Sequence, residues 1–317
     1  MADISKINAV ALANIAKLDA VLAANIAKVN GLVFTTAAGE FLLDTYTGAA
    51  AGYSVRRLAT SATVLLRVRR DTAGGTGDDD EADVAYDSNN ILSLDSAISN
   101  ASVGVTATTL GQFLNVGTVN GTTYTNPDSL TVTASCFVDE WKDQSGNAND
   151  ATQATQGDQP QIHDGTVNTD LITENGKPYI NFQSSQMTTG ILPSGIDSVF
   201  GVYKRVSSGS IMFAAHDNGW FNGVGFSGQT STAFALDAWI DGTSFTGTRD
   251  DFWTAAASQI LVTTIRSFSS AEDYNMTYQN GNNWNNFMRQ EFVIYPDDQS
   301  SNRTDIETNI NTYYSIY

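Results

Sequence analysis

Asp143, Ser145, Asn147 and Asn149 place four side-chain oxygens at alternate positions of one short segment, the way a calcium loop presents its first ligands. The rest of that loop is missing, because Ala148 stands where glycine is required and Ala154 where a closing glutamate is required. A turn bonded by its own side chains is therefore the preferred reading, with a calcium site as its rival. Nucleophilic chemistry finds less. His163 and His216 are the two histidines and Cys136 the one cysteine, and none stands in an order that a Ser–His–Asp or Cys–His site would use. No glycine-rich phosphate loop or zinc spacing occurs, so no cofactor is expected. What remains is aromatic. Of Trp141, Trp220, Trp239, Trp253 and Trp284, the turn-rich settings DNGW and GNNWNN single out Trp220 and Trp284 as exposed faces on which a sugar ring can stack. Asp217, in the turn sequence His216-Asp217-Asn218-Gly219, completes this set of carbohydrate-contact candidates.

The charge narrows the partners. Sixteen basic against thirty-four acidic residues give a net charge of -18, which repels phosphate backbones and anionic lipid, so neither nucleic acid nor a membrane surface is expected. With one cysteine no intrachain disulfide forms, and Cys136 is expected to be a small buried residue. Asp3, Lys6, Lys17, Asp19 and Lys28 interrupt the apolar residues of the first 34 positions, so neither a signal peptide nor a membrane span is read there. The acidic run at 78–81 reads as a solvated loop tip.

Two kinds of element must carry these residues. INAVALANIAK at 7–17 and LDAVLAANIAK at 18–28 form a tandem repeat of eleven residues. Its columns, Ile4, Ile15 and Ile26, then Ile7, Leu18 and Val29, then Val10, Val21 and Leu32, cover one side of a helix. Asn14 and Asn25 fall inside that stripe, where an amide costs stability but fixes register between helices. The sequence predicts a helical arm over 1–33 that docks on copies of itself or on another subunit, or else lies on its own domain. From 34 to 317 the helical period gives way to short runs of Val, Ile, Thr, Tyr and Phe separated by turn clusters. Strands are predicted at 62–70, 84–86, 130–138, 179–183, 197–206, 209–215, 221–227, 233–240, 259–268 and 289–295. The alanines of 48–58 suggest a short helix, and a closing helix is predicted at 300–314, capped from 298–301, with Ile306, Ile310 and Tyr313 buried. The absence of strand–helix alternation disfavours a parallel doubly wound sheet.

LLDTYTGAAAGYSVRRL at 42–58 with RVRR at 67–70, WKDQSGNANDATQATQGDQPQI at 141–162 and ENGKPYINF at 174–182 together resemble the catalytic domain of fungal α-L-arabinofuranosidase B and its relatives among phage structural proteins. The ending at 291–317 resembles the last strand and helix of the phage versions, and the N-terminal repeats resemble the start of phage virion proteins. The resemblance implies an all-β, concanavalin-like β-sandwich of jelly-roll type, here with a helical arm and a short C-terminal helix. It also implies where an enzyme would keep its nucleophile, a glutamate shortly after a Cys-Cys-Phe-Asp-Tyr-Gly-Asn pattern. The matching stretch IMFAAHDNGWFNGVG at 211–225 has no cysteine pair and no glutamate, and Asp217 is its one acid. Glu40, Glu81, Glu140, Glu174, Glu272, Glu291 and Glu307 all lie elsewhere, so the paired carboxylates of a glycosidase are not found and no enzymatic activity is expected. The resulting expectation is a virion surface protein made in the host cytoplasm. It would self-associate, attach to capsid, portal, tail or baseplate proteins through its arm, and contact host glycan, with an adhesin or an arabinofuranosidase-like hydrolase as alternatives.

Overall fold

Strict alternation in the strand Glu81–Ala85, with Ala82 and Val84 buried and their neighbours half-exposed, shows how this chain builds sheet: one face to a core, one to solvent. The computed structural model describes residues 41–317, apart from 193–195, 217–220, 235–236, 268–271 and 276–285, together with 28–29 and 32–33. At 28–29, 32–33, 190–192, 196, 212, 214–216, 221–222, 266–267 and 272–275 the backbone alone is described. The chain divides into two compact units, Met1–Phe41 and Leu42–Tyr317.

In the first unit Lys28–Val29 pairs antiparallel with Leu32–Val33. This corrects the prediction that the helical arm runs through Val29 to 33. Asn30-Gly31 stands between the two pairs, and Asn-Gly is the strongest short-range hairpin signal. The arm residues Ile4, Ile7, Val10, Asn14, Ile15, Leu18, Val21, Asn25 and Ile26 lie outside the described residues.

The second unit is an all-β sandwich, one antiparallel ladder folded over into two layers. In one layer Thr243–Ser244, Asp237–Ile240, Ile260–Ser267, Ile196–Arg205, Phe287–Tyr295 and Ala51–Ser54 lie side by side. In the other, Ile98–Ser99, Glu81–Ala85, Val64–Asp71 and Ser135–Trp141 are neighbours. The far edge of Ser135–Trp141 pairs with Gln161–Asp164 near its start and with Ala151–Thr152 near its end. Beyond Ala151–Thr152 follow Thr188–Leu192, Glu272–Asn275, Ile211–His216 and Phe221–Gly225. Ile180–Asn181 pairs with both Gln161–Asp164 and Phe287–Tyr295 and so joins the layers.

Between the layers runs a chain of rings. Tyr53, Trp141, Phe182, Phe287 and Tyr203 follow one another with centroids 5.9, 6.4, 5.5 and 4.7 Å apart, and such pairs add about 0.5–1.5 kcal/mol each beyond burial. Gly201 is required here, since a Cβ would stand 2.7 Å from the Phe213 ring. Arg289 is fully buried among Phe292, Phe287 and Phe213, donating to the Phe213 carbonyl. Its Nε and Nη1 have no hydrogen-bond partner among the described residues, and ring faces stand in for a counter-ion.

The motifs that carry the family resemblance meet in space. The Gln144 amide accepts from Leu58 N at 2.6 Å and donates to the carbonyls of Ser54 and Arg56, while Asp143 accepts from Gly52 N at 2.8 Å. Gln290 donates to the carbonyls of Lys177 and Pro178, fixing the small Thr173–Glu174/Lys177–Pro178 hairpin.

Two expectations about helices need correction. The alanine-rich 48–58 forms the fully buried strand Ala51–Ser54, with the helix Leu42–Thr45 before it, because pairing with Phe287–Tyr295 outweighs a propensity worth only tenths of a kcal/mol per residue. The closing helix is Arg303–Tyr314, and Tyr314, not Tyr313, completes its buried face with Ile306 and Ile310. Its N-cap Asn302 makes no side-chain cap bond, since Asp298 is engaged by Ser300 instead.

Candidate functional site

Directly opposite residues on adjacent antiparallel strands share a face, and register lines up four of them. Arg69 faces Phe137, Phe137 faces Gln161, and Gln161 faces Asn181. Their strand neighbours Val68, Cys136, Val138, Ile162, Ile180 and Phe182 are buried, so the row lies on the outer face. Two turns wall it in. On one side stand Gly157, in the short helix Gln156–Asp158, and Gln159; on the other stand Gln183, Ser184 and Ser185. Gln186 N donates to the Asp158 carbonyl at 2.9 Å and ties the walls together. The cleft between them holds about 280 Å³.

Its walls are held by bonds on their outer sides. Gln159 accepts from Arg69 Nε at 2.8 Å and donates to Asp139 and to the Gln153 carbonyl, which uses the whole amide. Arg69 also donates to Asp79 at 2.8 Å, and its guanidinium sits 5.0 Å from the Phe137 ring centre. Asn181 Oδ1 accepts from Gln183 N, and Ser184 holds a left-handed φ of 60°. The side-chain amides of Gln161 and Gln183, the Asn181 amide nitrogen and the Ser184 hydroxyl have no partner among the described residues. Unpartnered amides and a hydroxyl beside an aromatic ring are suited to a ligand with many hydroxyl groups and an apolar ring face. Among the described residues no carboxyl group lines the cleft, so they offer it no acid to protonate a glycosidic oxygen and no base opposite it.

Beside the cleft lies a network of ions. Arg67 binds Glu81 at 2.7 Å and Asp83 at 2.9 Å, and Arg70, 1% exposed, binds Asp80 at 2.5 Å. The run at 78–81 is therefore no free tip: Asp78 accepts from Thr72 N, and Asp79 and Asp80 fold back on arginines. Gly77 makes this possible, having a φ of +73° and standing where a Cβ would lie 2.3 Å from Arg70 Nη2. Asp139 is raised above the usual carboxylate range by burial and then by the charges of Glu81 and Glu140.

The predicted sites are placed as follows. Asp143 accepts from Gly52 N, Ser145 N, Ser145 Oγ and Asn149 N, while the amides of Asn147 and Asn149 donate to the carbonyls of Ala49 and Ala50. Asp143, Ser145, Asn147 and Asn149 are thus directed at their own loop and at the 49–52 segment. Among the described residues no group of three or more His, Cys, Asp or Glu gathers as metal ligands do. Asp217, Trp220 and Trp284 lie outside the described residues. His163 is buried, bonded to the Ala134 carbonyl and to Gly165 N, and Cys136 is buried. Sequence reading missed the cleft. Its one local signal is amide density, in QATQGDQPQ at 153–161 and NFQSSQ at 181–186.

An antiparallel β-sandwich with an amide-lined cleft on its outer face is the class that fold and site define. No family model matches the chain, and no curated protein matches it. Solved structures of arabinofuranosidases do match, each over 85% of this chain. They are a GH54 α-L-arabinofuranosidase soaked with a cyclic sulfate inhibitor (13% identity, TM-score 0.40), a mutant GH54 enzyme soaked with 4-nitrophenyl α-L-arabinofuranoside (11%, 0.43), and an arabinofuranosidase complexed with arabinofuranosyl-α-1,2-xylobiose (14%, 0.38). This chain spans 64% of the length of each.

Proposed function

We propose that the chain is a structural component of a bacteriophage virion, attached through residues 1–33 and contacting host-surface glycan with its sandwich without cleaving it. The observation that carries the glycan reading is the outer cleft, which among the described residues is lined by unpartnered amides and an aromatic ring and by no carboxyl group. Attachment rests on the eleven-residue repeat, whose apolar columns and embedded Asn14 and Asn25 suit docking on copies of the chain or on capsid, portal, tail or baseplate proteins. The net charge of -18 turns the body away from nucleic acid and anionic lipid. Made in the host cytoplasm, the chain leaves the cell within the particle.

Deleting residues 1–33 tests the attachment. The unit Leu42–Tyr317 keeps all its residues, so the shortened chain is expected to fold and to be missing from purified particles. Unchanged incorporation refutes the arm's role. The same cleft favours a second reading, in which adhesion to glycan is the principal role; retention of the isolated chain on host polysaccharide then accounts for most of the particle's own retention.

A further inference from the structure

The geometry points to the cleft beside Phe137 as a binding site for one residue of a neutral saccharide, an assignment that rests on the glycan-contact reading and gives it a place and a ligand class. Three features select the ligand. The first is neutrality. Among the described residues no ionised side chain lines the cleft, and Arg69, the nearest cation in the row, is already engaged by Asp79, Gln159 and the Phe137 ring. Asp139, bonded to Gln159, and Asp158, beside Gly157, add negative charge close by, in a chain whose net charge is -18. A uronate or sugar phosphate would meet repulsion with no counter-charge to offset it.

The second feature is the match of hydrogen-bonding groups. A sugar hydroxyl both donates and accepts, and so does a free primary amide; Gln161 and Gln183 offer whole amides, Asn181 its nitrogen and Ser184 its hydroxyl. These groups stand on a rigid frame. Gln161 and Asn181 are opposite each other on paired strands, and Asn181 is fixed by Gln183 N at 3.1 Å. Little order is then lost when a ligand arrives. The third feature is size. About 280 Å³ lies at the lower edge of small-ligand pockets, which run from about 300 to 1,000 Å³, so one ring enters and the rest of a glycan stays outside.

The test uses the full chain, labelled with nitrogen-15, and follows the side-chain amide signals of Gln161, Asn181 and Gln183 by NMR. The probes are D-glucose, D-galactose, D-mannose and L-arabinose, with D-galacturonate as the acidic counterpart. At least one neutral sugar is expected to shift these signals saturably in the millimolar range, with galacturonate at least about tenfold weaker. Gln161→Ala and Gln183→Ala, both at outward-facing positions, are each expected to weaken binding about three- to tenfold with the thermal midpoint unchanged. The assignment is overturned by flat amide signals with all four neutral sugars, by equal binding of galacturonate, or by variants that bind as well as the parent. A glycan array probed in parallel separates the two ideas. Array binding with a silent cleft overturns this assignment and leaves glycan contact standing; silence in both overturns both.

Discussion

Arg56→Met removes one half of an ion pair at the seam between sheet and closing helix, and the structure sets the size of the effect. Glu291 is fully buried and takes Arg56 Nε at 2.7 Å and Arg56 Nη2 at 2.9 Å, with Ser54 Oγ at 2.8 Å and Tyr314 Oη at 3.2 Å as its other donors. Losing two charge-assisted bonds at about 1.5–3 kcal/mol each agrees with the about 3–5 kcal/mol seen when a buried pair is broken from one side. Arg56 also donates to Asn309 and lies 4.8 Å from the Tyr313 ring, so the helix loosens with the pair. About 4 kcal/mol is the expected loss, which at about 2–4 °C per kcal/mol lowers the thermal midpoint by roughly 10 °C. Urea melts of Arg56→Met, Glu291→Leu and the double variant complete the cycle. The double variant, with no orphaned charge, is expected to cost well below the sum of the singles. A loss under about 1 kcal/mol for Arg56→Met, or an additive cycle, refutes the reasoning.

Three shorter predictions concern Asp143, Asp139 and Cys136. Asp143→Ala strips four donors of their shared acceptor and is expected to cost about 2–3 kcal/mol in a urea melt, with calcium giving the parent chain no rise in thermal midpoint; such a rise would restore the metal reading. Asp139 is raised in the folded chain, so folding favours its protonated form, and the stability that goes with this is present at acid pH and lost as pH rises through the raised value. Asp139→Asn is therefore expected to raise the thermal midpoint at pH 7 and to leave it unchanged near pH 3, whereas a uniform offset would contradict the burial argument. Burial pushes the Cys136 thiol up and closes it to reagents, so alkylation is expected only after unfolding, with half-reaction at the urea midpoint.

Much of the sandwich was legible where its strands are long. Val64–Asp71 and Phe287–Tyr295 fall within two residues of their predicted bounds, carried by runs of β-branched and aromatic residues between turn signals. Ala51–Ser54 was not legible, since Ala51 and the alanines before it favour helix, Gly52 carries turn chemistry, and only the ladder to 291–294 makes these residues a strand. The same limit hid the cleft. Phe137, Gln161 and Asn181 are separated by tens of residues, and nothing local in sequence marks them as neighbours; register across three strands does. The arginines of RVRR were readable as partners of local carboxylates, but the acids of 78–81 were not readable as those partners, because the return of that hairpin depends on the backbone freedom of Gly77.

Incubating the full chain with purified host-surface polysaccharide, and measuring bound chain and newly formed reducing ends in the same tubes, tests the central claim most directly. Retention with no reducing ends released over many hours is the predicted result. Steady release of sugar would place a working carboxylate pair on this sandwich and contradict the account.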